Sequence, residues 1–293
     1  MQLVAQIILN GMLLGGLYAC MALGFSIVWG VMNVVNLAYG SMIMLGAYVS
    51  WLAVLQLGLP FAVAPPTAAA VLFCLGYILQ RILLNRLAER SVFMTLIFTF
   101  GLNMALINLN LLLFSADVRS LPDVFTRTSL SIGELSAPWS RVIIFGAGIA
   151  MTGALHVLLN FTRLGNTIKA TSFDPGAARL SGIDVPHVFA LTFAIGGAVA
   201  GITGSLVAAS YSFSPFAGES YTMKSFVVVV LGGLGSVPGA IIGGIMLGIV
   251  ENLASLLLDS GYRDAIGFAL LLVVLVARPR GLLGKRFFAE VKP

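Results

Sequence analysis

Apolar residues follow one another along this chain in long unbroken stretches and do not alternate with polar ones. The stretches fall near Leu3 to Trp29, Leu37 to Leu57, Phe61 to Leu84, Val92 to Phe114, Val142 to Phe161, Val188 to Ser210, Ser225 to Val250 and Ala265 to Ala277. Most approach the roughly 20 residues that a helix needs to cross a bilayer. Barrel strands would show a period of two, which these stretches lack. A backbone amide in hydrocarbon finds no water, so each stretch must satisfy its own amides and is predicted to be helical. The last stretch is short; extension toward Tyr262 and Leu283, with Arg263 and Arg278 reaching the interfaces, lengthens it. The predicted fold is all-α, a polytopic membrane helix bundle of about 8–9 transmembrane segments. Residues 1–293 are read as one transmembrane domain.

Composition agrees with that pattern and excludes other classes. Hydrophobic residues make up 59% of the chain and charged residues only 9%, against about 25% charged in a soluble domain. So few charges cannot cover a water-facing surface, which excludes a secreted soluble enzyme, a nucleic-acid-binding domain and a disordered segment. No charged residue or histidine precedes Arg81, so no basic region precedes the first apolar run and no cleaved signal peptide is expected.

The placement of charge orients the bundle. Eleven of the 16 Lys and Arg residues fall in the segments Arg81 to Arg90, Arg163 to His187 and Arg278 to Pro293, with four acids among them. The segments Ser115 to Arg141, Tyr211 to Lys224 and Asp259 to Asp264 hold five basic residues and six acids. The positive-inside rule puts the first group, and the C-terminus, in the cytoplasm. Parity then requires Ser225 to Val250 to cross twice or to enter and return, and it leaves the N-terminus outside.

That run carries its own break, in the order LGGLGSVPGAIIGGIMLG. Gly235 permits unusual dihedrals and Pro238 lacks a donor, so one helix should end near Leu234 and another start near Pro238. A break at membrane depth is tolerated only against protein or a water-filled cavity, and Gly232, Gly235 and Pro238 thereby become candidates for a translocation pathway. Pairs with GxxxG spacing, Gly239-Gly243, Gly244-Gly248, Gly11-Gly15 and Gly197-Gly201, point to close helix packing or to that pathway. Glu251 is the one acid within the apolar runs, so it is a functional candidate, with an interfacial role as the alternative. Asn33 and Asn36 join the pathway candidates because Gly30 and Gly40 bracket a break between the first two spans. Asn103 and Asn110 share a helix face.

The segment Arg163 to His187 contains a short predicted helix, Pro175 to Ser181, with Asp174 as N-cap, Pro175 as first residue and Gly182 as stop. Too short to be stable alone, it has to pack on something. Ala177, Ala178 and Leu180 supply a small apolar face, suited either to its own protein or to a cytoplasmic partner. Cys20 and Cys74 both lie in apolar runs and are read as buried thiols. His156 and His187 lack metal-ligand spacing. No catalytic motif and no nucleotide-binding loop occurs, which leaves an ion-coupled carrier or channel, a scaffold, or a permease driven by another subunit.

Several blocks now carry a family likeness. They are GMLLGGLYACMALGFSIVWGVMNVVNLAYGSMIMLGAY (Gly11 to Tyr48), RLGNTIKATSFDPGAARLSGIDV (Arg163 to Val185), VVLGGLGSVPGAIIGGIMLGIVE (Val229 to Glu251) and ARPRGLLG (Ala277 to Gly284). In this order they resemble the permease subunits of branched-chain amino acid ABC importers, of the LivH type. The resemblance implies a subunit of a bacterial inner membrane importer, not itself an enzyme. It implies two cytoplasmic ATPase subunits that bind ATP and Mg, with no cofactor in this chain. It also implies an external binding protein and a second related permease subunit, the other arrangement being a homodimer. The family's EAAxxxG coupling helix matches Gly176 to Gly182, with Gly176 in place of Glu. Asp174, Pro175, Ala177, Ala178, Arg179, Leu180 and Gly182 are its implied ATPase-coupling residues. Relatives carry leucine, isoleucine and valine, or urea, amides or aromatic acids, so the cargo stays open.

Overall fold

The computed structural model describes residues 2–86, 92–121, 129–132, 135–256, 262–278 and 281–284. The charges at Glu89, Arg90, Arg280, Lys285, Arg286, Glu290 and Lys292, on which part of the orientation reading rests, lie outside them.

Helices dominate. They are α1 (Gln2–Met32), α2 (Tyr39–Trp51), α3 (Ala64–Ile82), α4 (Val92–Phe114), α5 (Trp139–Phe161), α6 (Arg163–Phe173), α7 (Pro175–Leu180), α8 (Val185–Ser210), α9 (Gly218–Gly232), α10 (Val237–Ala254) and α11 (Arg263–Ala277). One π-helical turn, Leu52–Gln56, prolongs α2. Among the described residues seven helical stretches are long and apolar enough to cross a membrane, and α9 and α11, at 15 residues each, are shorter. A small antiparallel hairpin, β1 (Ser129–Ile132) with β2 (Leu135–Pro138), precedes α5 and is the one departure from all-helical structure with named strands among the described residues.

α1 is the axis of the bundle. It has 31 residues and no interrupting proline or charge, which gives it a length of about 46 Å at 1.5 Å per residue. From Leu13 to Val28 nearly every residue is buried, whichever way it faces. A helix apolar and buried all round must have neighbours all round, and α5, α8, α9 and α10 surround it.

Glycines set the spacing of these neighbours. Gly11 and Gly15 of α1 meet Gly248 and Gly244 of α10 backbone to backbone, so the two helices run antiparallel. Gly24 of α1 meets Gly196 of α8, and Gly197 and Gly201 of α8 meet Leu72 and Ala68 of α3. Gly239 and Gly243 of α10 meet Gly232 and Val228 of α9. The GxxxG pairs thus serve close packing. A Cβ on Gly15 would lie 2.5 Å from Ile245 Cα, and no side-chain rotation relieves a clash with backbone.

These directions define two ends. One carries α6 and α7 with the starts of α8 and α10 and the ends of α1, α3 and α9. The other carries the β-hairpin with the starts of α1 and α5 and the ends of α8 and α10. The expected break in the long glycine run is present: α9 ends at Gly232, Gly233 and Gly235 have φ of 105° and 74°, and α10 restarts at Val237 with Ser236 as N-cap. The two helices fold back on each other, as parity required.

Three expectations need correction. The segment before α7 is itself a helix, α6, capped by Thr162 Oγ1 accepting from Gly165 N at 3.0 Å. The stretch from Tyr211 to Lys224 is only partly a loop, because α9 begins at Gly218, inside the bundle, beside the start of α2. There Gly40 N donates to Thr222 Oγ1 at 2.9 Å. Cys74 is exposed on α3 while Cys20 is buried; the apolar surface around Cys74 suits lipid as well as protein.

Leucine at position 15 should therefore separate α1 from α10. Overpacking of this kind costs about 1–3 kcal/mol, and a backbone obstacle puts it at the upper end. Gly146, with open space around it, is the control. Thermal unfolding of the purified protein should show a clear drop in Tm for Gly15→Leu and little change for Gly146→Leu.

Candidate functional site

Glu251 has a partner that the sequence did not reveal. It sits near the end of α10 with its side chain 2% exposed. Lys224 reaches it from α9, with Nζ 3.3 Å from each carboxylate oxygen. Tyr18 of α1 donates its hydroxyl to Glu251 Oε2, and Lys224 Nζ donates to Tyr18 Oη at 2.9 Å while lying 4.9 Å from the centre of the Tyr18 ring. On its outer side Lys224 meets Asp264 of α11 at 3.3 Å, and the Asp264 side chain is 62% exposed. A buried carboxylate is tolerable only with a paired cation and hydrogen-bond donors, and two helices, α9 with Lys224 and α1 with Tyr18, supply them.

The cluster lines a cavity of about 350 Å³ between α9, α10 and α11. Glu219, Ser220, Lys224, Glu251 and Asp264 give its polar lining; Phe216, Met223, Val227, Leu247 and Phe268 give its apolar wall. It lies toward the end of α10 that carries Glu251. The signal for this site was present: Lys224 immediately precedes the apolar run from Ser225, and a buried acid calls for the nearest available cation.

The other pathway candidates lie elsewhere. Gly232 is buried against Gly239, and Gly235 packs on Gly30. Gly235 and Pro238 line a second cavity of about 330 Å³ at the α7 end, with His156, Asn160, Lys169 and Leu283. Lys169 Nζ donates there to Asn160 Oδ1 at 2.6 Å. The glycine-proline break and Glu251 are therefore at opposite ends of α10. Asn36 is buried, accepting from Ala38 N at 3.1 Å and so shaping the turn into α2. Asn33 is exposed, with φ of 52°. Asn103 accepts from Ser41 Oγ at 2.6 Å, and Asn110, on the same face, is buried without a hydrogen-bond partner among the described residues. His156 and His187 belong to different helices, and no metal-binding cluster occurs among the described residues.

α7 takes the form its sequence dictates. Asp174 Oδ1 accepts from Gly176 N at 2.8 Å and Ala177 N at 3.0 Å. Pro175 opens the helix, Ser181 closes it, and Gly182 turns away with φ of 82°. The apolar residues do not share one face, however. Ala178 is 4% exposed and docks on the protein's own body, while Leu180 is 92% exposed and Ala177 is also exposed. Arg179 occupies the exposed side as well. Behind α7, Arg81 of α3 lies 4.0 Å from Asp184, and Tyr77 Oη lies 3.0 Å from His187 Nδ1, tying α3 to the start of α8.

Comparison with known proteins extends this picture. The family described as branched-chain amino acid transport system / permease component matches residues 7–275. The chain is 34% identical over 300 residues to the high-affinity branched-chain amino acid transport system permease protein LivH of Escherichia coli K12, covering 96% of this chain and 95% of that protein. It is 29% identical over 293 residues to the permease protein BraD of Pseudomonas aeruginosa, covering 96% and 95%. A shorter similarity, 36% over 138 residues and 44% of this chain, links it to the ribose import permease protein RbsC of Escherichia coli K12, of which it covers 43%. No solved structure matches the chain.

Removing Glu251 alone would leave Lys224 with the Tyr18 hydroxyl and, as its remaining carboxylate among the described residues, the exposed Asp264. Breaking one half of a buried pair costs about 3–5 kcal/mol, and partial exposure of Lys224 places Glu251→Ala near the lower figure. The double change Lys224→Met with Glu251→Leu should recover much of that loss. Thermal unfolding of the three proteins in detergent checks this; equal losses in the single and double variants would contradict the pairing.

Proposed function

This chain belongs to the family of permease components of branched-chain amino acid transport systems, and on that premise we propose that it forms the membrane passage of an importer whose ATP and Mg are bound by two partner ATPase subunits at its α7 end. The proposed cargo is a branched-chain amino acid, delivered by an external binding protein at the hairpin end. A second, related permease subunit is the proposed other half of the passage. Likeness over nearly the whole chain to LivH and BraD, named as high-affinity branched-chain amino acid permeases, supports that cargo. The α7 end is proposed to face the cytoplasm together with the C-terminus. Arg81, Arg163, Lys169, Arg179 and Arg278 gather there, as the positive-inside rule asks.

The observation that carries the proposal is the form of α7. Its caps fix it, Ala178 fastens it to the bundle, and Leu180 projects almost fully into solvent. An exposed leucine beside an arginine on a rigid, outward helix suits docking into a groove of another protein. ATP closing the two partner subunits would carry α7 with it, and the bundle would rock as one body between outward- and inward-open states. Gly176, which stands where the family's EAAxxxG motif has Glu, contributes no ionic contact, so Leu180 and Ala177 must supply more of the hold. An ion-coupled carrier would need an acid at depth free to exchange a cation, whereas Glu251 is engaged by Lys224 and Tyr18.

Co-expression of this chain with the ATPase subunits, the second permease and the binding protein, followed by uptake into proteoliposomes, tests the reading. Leucine uptake should require internal ATP; uptake by this chain alone, driven by an ion gradient, would overturn it. Leu180→Asp should leave the Tm of the permease unchanged, because the side chain touches little, yet cut uptake and ATPase co-purification by about tenfold or more. That figure follows from losing a buried leucine anchor worth about 1.5–3 kcal/mol.

A further inference from the structure

The cavity at Lys224 and Glu251 has the chemistry of a site for a zwitterion. Its lining holds one cation, Lys224, and three carboxylates, Glu219, Glu251 and Asp264. Glu251 is buried and held by Tyr18, and it holds Lys224 in place. Asp264 is different: it is mostly exposed, and among the described residues its ion pair is to the outer side of Lys224. A ligand carboxylate can therefore take the place of Asp264 on Lys224 without disturbing the inner pair. The displaced Asp264 and Glu219 are then free for an ammonium group. Met223, Val227, Leu247 and Phe268 add apolar lining suited to an aliphatic side chain. A volume of about 350 Å³ falls within the about 300–1,000 Å³ of small-ligand pockets. Glu219 and Ser220 in the first turn of α9 form part of its lining.

We propose that this cavity is a transit subsite that recognises a free aliphatic α-amino acid in the permease itself, with Lys224 taking the carboxylate and Glu219 and Asp264 the ammonium. The proposal rests on the importer reading and adds to it: the permease reads the two charges of the cargo as well as passing it on. A zwitterion adds no net charge to the site, whereas a carboxylate alone would leave two anions without a cation and an amine alone would leave Lys224 on Asp264.

The test is isothermal calorimetry on the assembled permease–ATPase complex without its binding protein. The probes are L-leucine, 4-methylpentanoate, which lacks the ammonium, and 3-methylbutylamine, which lacks the carboxylate. Leucine should bind, with each analogue at least tenfold weaker. Lys224→Met should remove the preference for leucine over the amine while leaving the preference for leucine over the acid. A merely structural role for Lys224 would weaken all three alike. If that variant fails to assemble, the three ligands on the wild-type complex decide the matter. Amine binding as tight as leucine binding would make this a simple cation site and overturn the proposal. So would absence of leucine binding in a complex whose ATP-driven leucine uptake is intact. A complex that discriminates the three ligands yet takes up no branched-chain amino acid would support the subsite and overturn the importer reading.

Discussion

Helices in a bilayer gain little by burying apolar side chains against each other, since lipid is equally apolar, so their association depends on how closely their backbones approach. In this protein that approach is made through glycine on both sides of the contact. Gly11 and Gly15 meet Gly248 and Gly244, and Gly24 meets Gly196. The result is a central helix, α1, gripped along most of its length by α10 and α8. Everything else is placed by that grip: α9 folds back on α10 through Gly232 and Gly239, and α3 reaches α8 through Gly197 and Gly201. Polar side chains reinforce the arrangement where they find one another, as Ser50 and Ser205 do at 2.6 Å.

The same scarcity of water governs the charges. An ion pair in such surroundings is a poor source of stability, because desolvation offsets most of its attraction. A protein built only for stability would fill the space between α9, α10 and α1 with apolar side chains. Lys224, Glu251 and Tyr18 occupy it instead, next to an open cavity. Their place beside that cavity fits the transit subsite proposed above.

What was legible in the sequence followed from local rules. Continuous apolar runs gave the helices, and Asp174, Pro175 and Gly182 gave α7 almost to the residue, because caps act over three or four positions. The turn at Gly233 to Ser236 was legible for the same reason. Long-range pairing was not. Glu251 and Lys224 are 27 residues apart and meet only because α9 doubles back, and Tyr18 comes from the other end of the chain. The start of α9 inside the bundle was hidden by Glu219 and Lys224, whose charges suggested a loop. α6 was missed although Gly165, Ile168 and Thr171, its buried residues, recur every third position. Leu180 and Ala178 were grouped by composition, whereas on a six-residue helix they face opposite ways. The resemblance supplied what no local rule could, namely a reason for α7 to be exposed.

The two ends of the molecule are connected by a stiff element. α10 begins at the glycine-proline turn beside Gly30, Lys169 and the tail at Gly281 to Gly284, and it ends at Glu251. Between those points it is locked to α1 by contacts that leave no room for a Cβ, so it cannot bend without separating backbones. α7 connects to the same end through α6 and α8. In the proposed cycle a shift imposed on α7 therefore reaches the Lys224 cavity as a displacement of whole helices. α11 is the exception, because it lies beside α10 and α9 and is not among the helices that surround α1, and it brings Asp264, Gly267 and Phe268 to the cavity. Movement of α11 against a fixed α9–α10 hairpin would open or close the cavity at its exposed partner, Asp264, while the inner pair of Lys224 and Glu251 stays intact.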